Sequence, residues 1–338
     1  MILQERIEVL VKLGNVLRTG DDYLEALLHQ VSHKNLWFTK ENYRHAIAML
    51  SRNLTEENLN KWAKTYFIDD NIKSKNVGLV FSGLAPLENF HDALCTFIQG
   101  HKAQLKLDER DELVIPYLIK IMDRMNDRSA TYLKVVDKIT NFDAIIANAS
   151  PSNYLTLKKY FKDTPAIIRK RKNAIAVLTQ ADNQDDLQGI SDDIFTYFGF
   201  SVRNLSKIYI PKAYDFNPLM EKLHEQKEII LHGKYKSNFD YNYSIHVLNK
   251  DMIVANGCII LSENQQVQSR IAGLHYEFYE SQDDLTKKLY RDKDAIELIS
   301  AHQVIEGFFV KPFGKCLQYE LHEYQSQYDV MEFLLSIA

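Results

Sequence analysis

Glycine is scarce in this chain. There are 12 glycines among 338 residues, about 3.6% against a usual ~7%, which argues against an enzyme built on glycine-lined phosphate loops. G-x-G-x-x-G and G-x-x-x-x-G-K-[ST] are both missing, which excludes the standard dinucleotide fingerprint and the P-loop. H-E-x-x-H and G-x-S-x-G are missing too, and with them a zincin helix and a nucleophile elbow. Cysteine is limited to Cys95, Cys258 and Cys316. An odd, sparse set gives no disulfide framework and no C-x-x-C knuckle, and fits a reducing cytoplasm. Long apolar runs are absent. The longest uncharged stretch, Ala144 to Leu157, is 14 residues and is interrupted by Asn148, Ser150 and Pro151, whereas a membrane span needs about 20. Glu5 and Arg6 fall too early for a signal peptide. Positive charge is not in excess either: 41 basic against 45 acidic residues give −4. The dense basic run Arg169–Lys172 stands between Ile167-Ile168 and Ala174–Leu178 and reads as one turn of solvated charge, so no nucleic-acid partner is expected.

What is present is an ordinary globular mixture, 46% hydrophobic and 25% charged, of a length that suits two domains. Leu3, Ile7, Leu10 and Leu17 make a helical stripe, and further helices fit Tyr23–His33, Glu41–Arg52 and Glu56–Phe67. From Val77 the pattern alternates. Strands are expected at Val77–Phe81, Ala103–Leu107, Thr131–Val136 and Asp143–Ala147. Helices are expected from Pro86 to Gln99, Glu109 to Arg124 and Pro151 to Phe161, the last with Ser150 as N-cap and Pro151 at its first position. A second series follows, with strands at Ile175–Leu178, Lys207–Ile210, Cys258–Leu261 and His275–Tyr279. Its helices are expected at Asp182–Phe198, Pro218–Gln226 (Asn217 capping), Asn242–Asn249 and Asp283–Tyr290. Short apolar strands alternating with helices predict an α/β fold with parallel-rich sheets covered on both faces. The apolar tail Val330–Ile337 predicts docking on the chain's own body or on a partner. The expected division is 1–165, a helical layer plus a nucleotide-binding-like domain; 166–310, a second α/β domain; and 311–338, a tail, with 290–338 a candidate to rejoin the first domain.

Several segments, in order, resemble the aldehyde dehydrogenase superfamily. Val77-Gly-Leu-Val-Phe-Ser-Gly-Leu-Ala-Pro86 is similar to its strand and loop before the first cofactor-domain helix. Gly100-His-Lys-Ala-Gln-Leu-Lys106 is similar to the next strand, Asp143-Ala-Ile-Ile-Ala-Asn-Ala-Ser150 to the strand before the phosphate turn, and Lys311-Pro-Phe-Gly314 to the late Pro-Phe-Gly segment. The LuxC-type acyl-CoA reductases, a short branch of that superfamily, are the nearer likeness. It rests on Phe90-His91-Asp92, Tyr197-Phe198-Gly199, Arg203-Asn204, Ser206-Lys207, Leu274-His275-Tyr276-Glu277 and Met331-Glu-Phe-Leu-Leu335, and covers about residue 75 to the C-terminus. The resemblance implies two Rossmann-like domains, a nicotinamide cofactor, NADP(H) or NAD(H), and a fatty acyl-CoA substrate reduced to aldehyde through an acyl-cysteine. That chemistry needs a sulfur nucleophile, oxyanion donors and a phosphate-binding turn.

The chain departs from the branch at each of these. The nucleophile position of Tyr-Phe-Gly-x-Gly-Cys-Arg-Asn falls on Val202, and the preceding glycine on Ser201. The oxyanion asparagine of Gly-Asn-x-Pro falls on Leu84. The phosphate turn reads Ala147-Asn148-Ala149-Ser150, with Ala149 in a glycine position. The three cysteines lie elsewhere and read as small buried hydrophobes. By resemblance, Lys106, Ser150 and Glu277 are the cofactor-side residues. Ser201, Asn204, His275 and Glu277 are the remaining polar groups for chemistry, and no metal is implied. Lys106 also fits the polar side of a strand, and His275 with Glu277 the polar side of a half-exposed one. Three readings follow. One is a non-catalytic relative that binds acyl-CoA or nucleotide, self-associates or pairs with an active paralogue. Another is a working non-covalent reductase in which Tyr197, Ser201 or His275 polarises the thioester. The last is an unrelated α/β interaction protein.

Overall fold

All 338 residues are described by a computed structural model. The chain divides into two compact units, residues 1–171 with 319–338, and residues 172–318. These divisions fall at 171/172 and 318/319, against 165/166 and 310/311 expected from the sequence.

The first unit opens with four helices, α1 (Leu3–Thr19), α2 (Asp22–Lys34), α3 (Lys40–Asn53) and α4 (Glu56–Lys64). Asp21, Thr39 and Thr55 cap the last three by accepting from the backbone N–H of Leu24, Asn42 and Asn58, which occupies donors no helical carbonyl can reach. Ile7, Leu10, Leu13 and Leu17 bury the stripe of α1.

A sheet follows, built from β1 (Asn76–Val80), α5 (Phe90–Gln99), β2 (Lys102–Lys106), α6 (Val114–Met125), β3 (Leu133–Val135), β4 (Ala144–Ala149), α7 (Tyr154–Tyr160) and β5 (Ala166–Lys170). Its order is β3-β2-β1-β4-β5 and every pairing is parallel. All ten residues of α5 are buried, and Gly100 at φ 82 ends it in the left-handed region that glycine tolerates.

Three helix starts and the environment of one charged residue in this unit differ from expectation. The helix expected from Pro86 starts at Phe90, because Leu87 sits at φ 58, outside helical space. Asn89 is also turned back to accept from the N–H and hydroxyl of Ser82 (2.8 and 2.9 Å). The helix expected from Glu109 starts at Val114, since the Arg110 guanidinium folds onto Asp108 at 2.7 Å and fixes a turn. The third starts at Tyr154 with Asn153, not Ser150, at the N-cap. Last, Arg169 is not solvated charge. It lies in β5, is 2% exposed, and donates twice to Asp92 of α5 at 2.7 and 2.9 Å.

The second unit comprises β6 (Asn173–Val177), α8 (Gln184–Phe195), β7 (Leu205–Pro211), α9 (Phe216–His224), α10 (Gly233–Asn249), β8 (Ile253–Ala255), β9 (Ile260–Glu263), β10 (Gly273–Tyr279), α11 (Gln282–Asp292), β11 (Ile296–Ser300) and β12 (Val310–Lys311). Its sheet runs β12-β11-β6-β7-β10-β9-β8, parallel except for the β8–β9 pair. Asp215, not Asn217, caps α9 by accepting from the Asn217 N–H. Cys258 precedes β9 rather than lying in it, and α10 begins nine residues before the Asn242 expected from sequence. The closing helix α12 (Val330–Ser336) lies against α5 in the first unit. Gln99 Nε2 donates to the Met331 carbonyl (3.3 Å) and His101 Nε2 to that of Leu334 (3.1 Å). No helix is long and apolar enough to cross a membrane.

Candidate functional site

Val202 stands in the turn between α8 and β7, and its local conformation is unusual. Tyr197, Phe198 and Gly199 lie at φ 56, 56 and 78 in succession, and two of them carry bulky side chains that this region disfavours. Asn204 holds the turn. Its side-chain N–H group donates to the carbonyls of Asp193 and Thr196, both at 2.8 Å, and its oxygen accepts from the Ser201 N–H at 2.9 Å. The Ser201 hydroxyl accepts from the Arg203 N–H at 3.2 Å, in a residue 4% exposed. Val202 itself is 2% exposed. Asn204 and Ser201 are thus committed to shaping the turn, and its apex is an aliphatic side chain.

The thiols are sealed. Cys95, Cys258 and Cys316 are each 0% exposed and free. Burial pushes Cys258 up to about 11 and the other two well above the ordinary thiol value. A thiolate is therefore disfavoured at all three.

Glu277 and His275 project on one face of β10, as their spacing predicts, but Glu277 is not half-exposed. It is 7% exposed and receives both outer nitrogens of Arg291 (3.0 and 2.7 Å) and the Nζ of Lys207 (2.7 Å). Lys207, 0% exposed, also donates to the Gln265 carbonyl at 2.7 Å and to Asp292 at 3.2 Å. Burial raises the Glu277 carboxyl, the bonds from Arg291 and Lys207 outweigh it, and the net is below its ordinary value. An ionised, fully bonded carboxylate is a poor general base. This network has no sequence signature, because Lys207, Glu277, Arg291 and Asp292 lie on three elements far apart in the chain. His275 is half-buried, and burial lowers its imidazole.

In the first unit Leu84, Lys106 and Ser150 all lie at the carboxyl edge of the sheet, where open α/β folds bind ligands. Leu84 follows β1 in a loop pressed on the next strand's end: a Cβ on Gly83 would come 2.3 Å from the Asp108 carboxyl carbon. Lys106 is exposed and alternates with buried Ala103 and Leu105. The turn after β4 does not fit a dinucleotide pyrophosphate. The Asn153 N–H is held by the Ser150 carbonyl (3.0 Å) and hydroxyl (3.3 Å), and the Tyr154 N–H by the same carbonyl (3.0 Å). Pro151 has no N–H. The unpartnered buried atom here, Asn148 Oδ1, is an acceptor, which repels phosphate oxygens. Lys106 is compatible with a ribose.

No family model and no curated protein matches the chain. Among solved structures it is similar to aldehyde dehydrogenase 21 from Physcomitrella patens in complex with the reaction product succinate, at TM-score 0.72 and 11% identity over 100% of this chain and 84% of that one. It is similar to a putative aldehyde dehydrogenase from Burkholderia cenocepacia, at TM-score 0.69 and 12% identity over 93% and 80%. The NAD+ complex of an aldehyde dehydrogenase from Bacillus cereus gives 0.69 and 10% over 99% and 83%. The chain has the aldehyde dehydrogenase fold.

Proposed function

We propose that this chain is a non-catalytic relative of the acyl-CoA reductases, retaining the aldehyde dehydrogenase fold without the covalent thioester chemistry. One observation carries the reading: every thiol is sealed, while the turn assigned to the nucleophile presents buried Val202. A side chain of carbon and hydrogen cannot attack a thioester, and the Ser201 hydroxyl beside it accepts the backbone N–H of Arg203. Leu84 in place of an amide removes an oxyanion donor, a loss of roughly 3–4 kcal/mol of transition-state stabilisation. The retained body serves binding: acyl-CoA as ligand, and a second copy or an active paralogue as partner, in the cytoplasm. NADP(H) or NAD(H) would meet Lys106, but the turn at Ser150 does not supply its phosphate contacts.

The test is an assay of the wild-type chain with acyl-CoA and NADPH or NADH. No aldehyde forms above background, and a thiol reagent labels none of the three cysteines until the chain is unfolded. Val202→Cys with Leu84→Asn restores thioester attack, read as coenzyme A release without nicotinamide. Aldehyde production by the wild type, abolished by Ser201→Ala or His275→Gln, would instead establish the non-covalent reductase. Acyl-CoA at 100 times its dissociation constant stabilises the fold by ~2.7 kcal/mol, and an unmoved melting temperature removes the acyl-CoA part of the reading.

A further inference from the structure

The second sheet reverses direction between β6 and β11. From β6 the chain goes on to β7 on one side, and from β11 to β12 on the other. The two strands are parallel neighbours, with Ser300 level with Ala176, so the loops leaving their carboxyl ends diverge. Such a switch point is where open α/β sheets take ligands. Three side chains with metal-ligating atoms meet there. Asp182 comes from the loop after β6, Asp186 from the first turn of α8 and His302 from the loop after β11. One ligand atom from each lies within 4.8 Å of the others. No spacing in the sequence announces this set, since His302 is 116 positions from Asp186.

The distances suit one small cation. His302 Nε2 is 3.1 Å from Asp186 Oδ2 and 3.6 Å from Asp182 Oδ1. Ligands of a tetrahedral zinc ion, bound at about 2.0–2.1 Å, stand about 3.3–3.4 Å from one another, between these two values. The charge is unbalanced in the same sense. His302 is the basic side chain at ion-pair distance from the two carboxylates, and no Lys or Arg reaches either. Even a protonated ring leaves one negative charge uncompensated. Water compensates little of it, because the Asp182 and Asp186 side chains are 2% and 15% exposed. Buried charges are paired or coordinate metals. Each group is also held in place. Asp182 accepts from the N–H (2.8 Å) and the hydroxyl (3.0 Å) of Thr179, and Asp186 from the Asn183 N–H (2.9 Å). The His302 ring meets the Phe313 ring edge-on at 4.9 Å. Outer contacts of this kind orient metal ligands. The His302 side chain is 52% exposed, which leaves an entry path and room for a water as fourth ligand.

We propose that Asp182, Asp186 and His302 form a zinc site, with one imidazole nitrogen, two carboxylate oxygens and a water around the ion. The ion ties the loop after β6 to the loop after β11 within the second unit. The proton through which His302 Nε2 meets Asp186 passes to solvent as the metal takes its place. A set that includes imidazole favours zinc over magnesium and calcium, which prefer oxygen ligands and higher coordination numbers. The site uses none of the residues of the acyl-CoA reading, so either stands without the other.

The experiment uses the full chain, stripped with a chelator and titrated with Zn2+ in a calorimeter. One ion binds per chain with a dissociation constant of about 1 µM or tighter, and protons are released to the buffer. Co2+ in its place gives the strong visible bands of a tetrahedral ion. His302→Gln and Asp186→Asn each weaken zinc binding about 100-fold or more, since changes to outer-shell partners alone cost about 10–100-fold. Asn at 186 keeps an oxygen for the Asn183 N–H, so the start of α8 is spared. His246→Gln, which removes another ring paired with a carboxylate, leaves zinc binding unchanged. Each variant keeps the wild-type circular dichroism spectrum. No heat and no cobalt bands at about 100 µM metal, 100 times a micromolar dissociation constant, overturn the proposal and leave an imidazole held by two carboxylates. Zinc binding that survives both substitutions overturns it equally, because the ion then sits elsewhere. Tighter binding of Mg2+ than of Zn2+, or the weak cobalt bands of an octahedral ion, refutes the assigned metal and geometry.

Discussion

Arg169 shows how much a single residue's environment can hide behind its neighbours. In sequence it opens a run of four basic residues, and such runs are usually solvated. In the strand the run is split by the two-residue period: Arg169 points inward with Ile167, and Lys170 outward. Its partner Asp92 is 77 positions away on a helix, so one sequence gives no hint of the pair. Both partners are buried, at side-chain exposures of 2% and 8%, and removing one strands the other's charge. Arg169→Met is therefore expected to cost about 3–5 kcal/mol, whereas Asp92→Leu with Arg169→Met costs less than either single change. Urea unfolding of the full chain measures both. A double variant as unstable as the sum of the singles would show that the pair is not what holds the two elements.

At the scale of elements, the alternation of strand and helix was legible because buried parallel strands are short continuous apolar runs. The starts of helices were not. They are set by Leu87 in left-handed space and by Asp108 gripping Arg110, neither of which has a periodic signature. The candidate positions Leu84 and Val202 came from resemblance, whereas the sealing of the thiols could be anticipated from their apolar neighbours. The docking of α12 was foreseeable from its apolar face, but the way it is fastened was not. His101, 0% exposed, accepts from the Lys75 N–H through Nδ1 (3.2 Å) and donates to Leu334 through Nε2, which requires a neutral ring. Burial accordingly lowers its pKa. A histidine depressed in the folded state binds its proton more readily when unfolded. Its contribution is therefore complete above the unfolded value, about 6.5, and is lost as pH falls from there through the folded one. Asp111 and Asp193, pushed up by burial to about 7 and about 6, run the opposite way, so total stability masks the effect. The difference in unfolding free energy between wild type and His101→Gln isolates it. That difference shrinks on acidification below pH 6.5, and a difference independent of pH would mean the ring is not the fastener.

For the whole molecule, the order of the chain sets which parts can stand alone. The second unit is one continuous stretch, 172–318, whereas the first is completed only by the last residues, 319–338. Those residues are not an appendage to a finished body. Trp62 Nε1 donates to the Tyr324 hydroxyl at 2.8 Å, Tyr66 reaches both Tyr324 and Asp329 at 2.8 and 2.7 Å, and His91 meets the Leu321 carbonyl at 3.0 Å. Val330, Met331 and Leu334 are each 0% exposed, and burying an apolar side chain of this size contributes about 1.5–3 kcal/mol. Three such side chains are comparable to the 5–15 kcal/mol that holds a typical domain together. A chain ending at residue 318 should therefore leave the first unit without a cooperative transition, while the fragment 172–318 melts cooperatively on its own. Adding a synthetic 319–338 peptide to the shortened chain restores the transition, because its contacts are side-chain and carbonyl bonds that need no covalent continuity. Differential scanning calorimetry of the three samples reads all of this. A shortened chain that keeps the full wild-type transition would show that the first unit's core is already complete at Arg171.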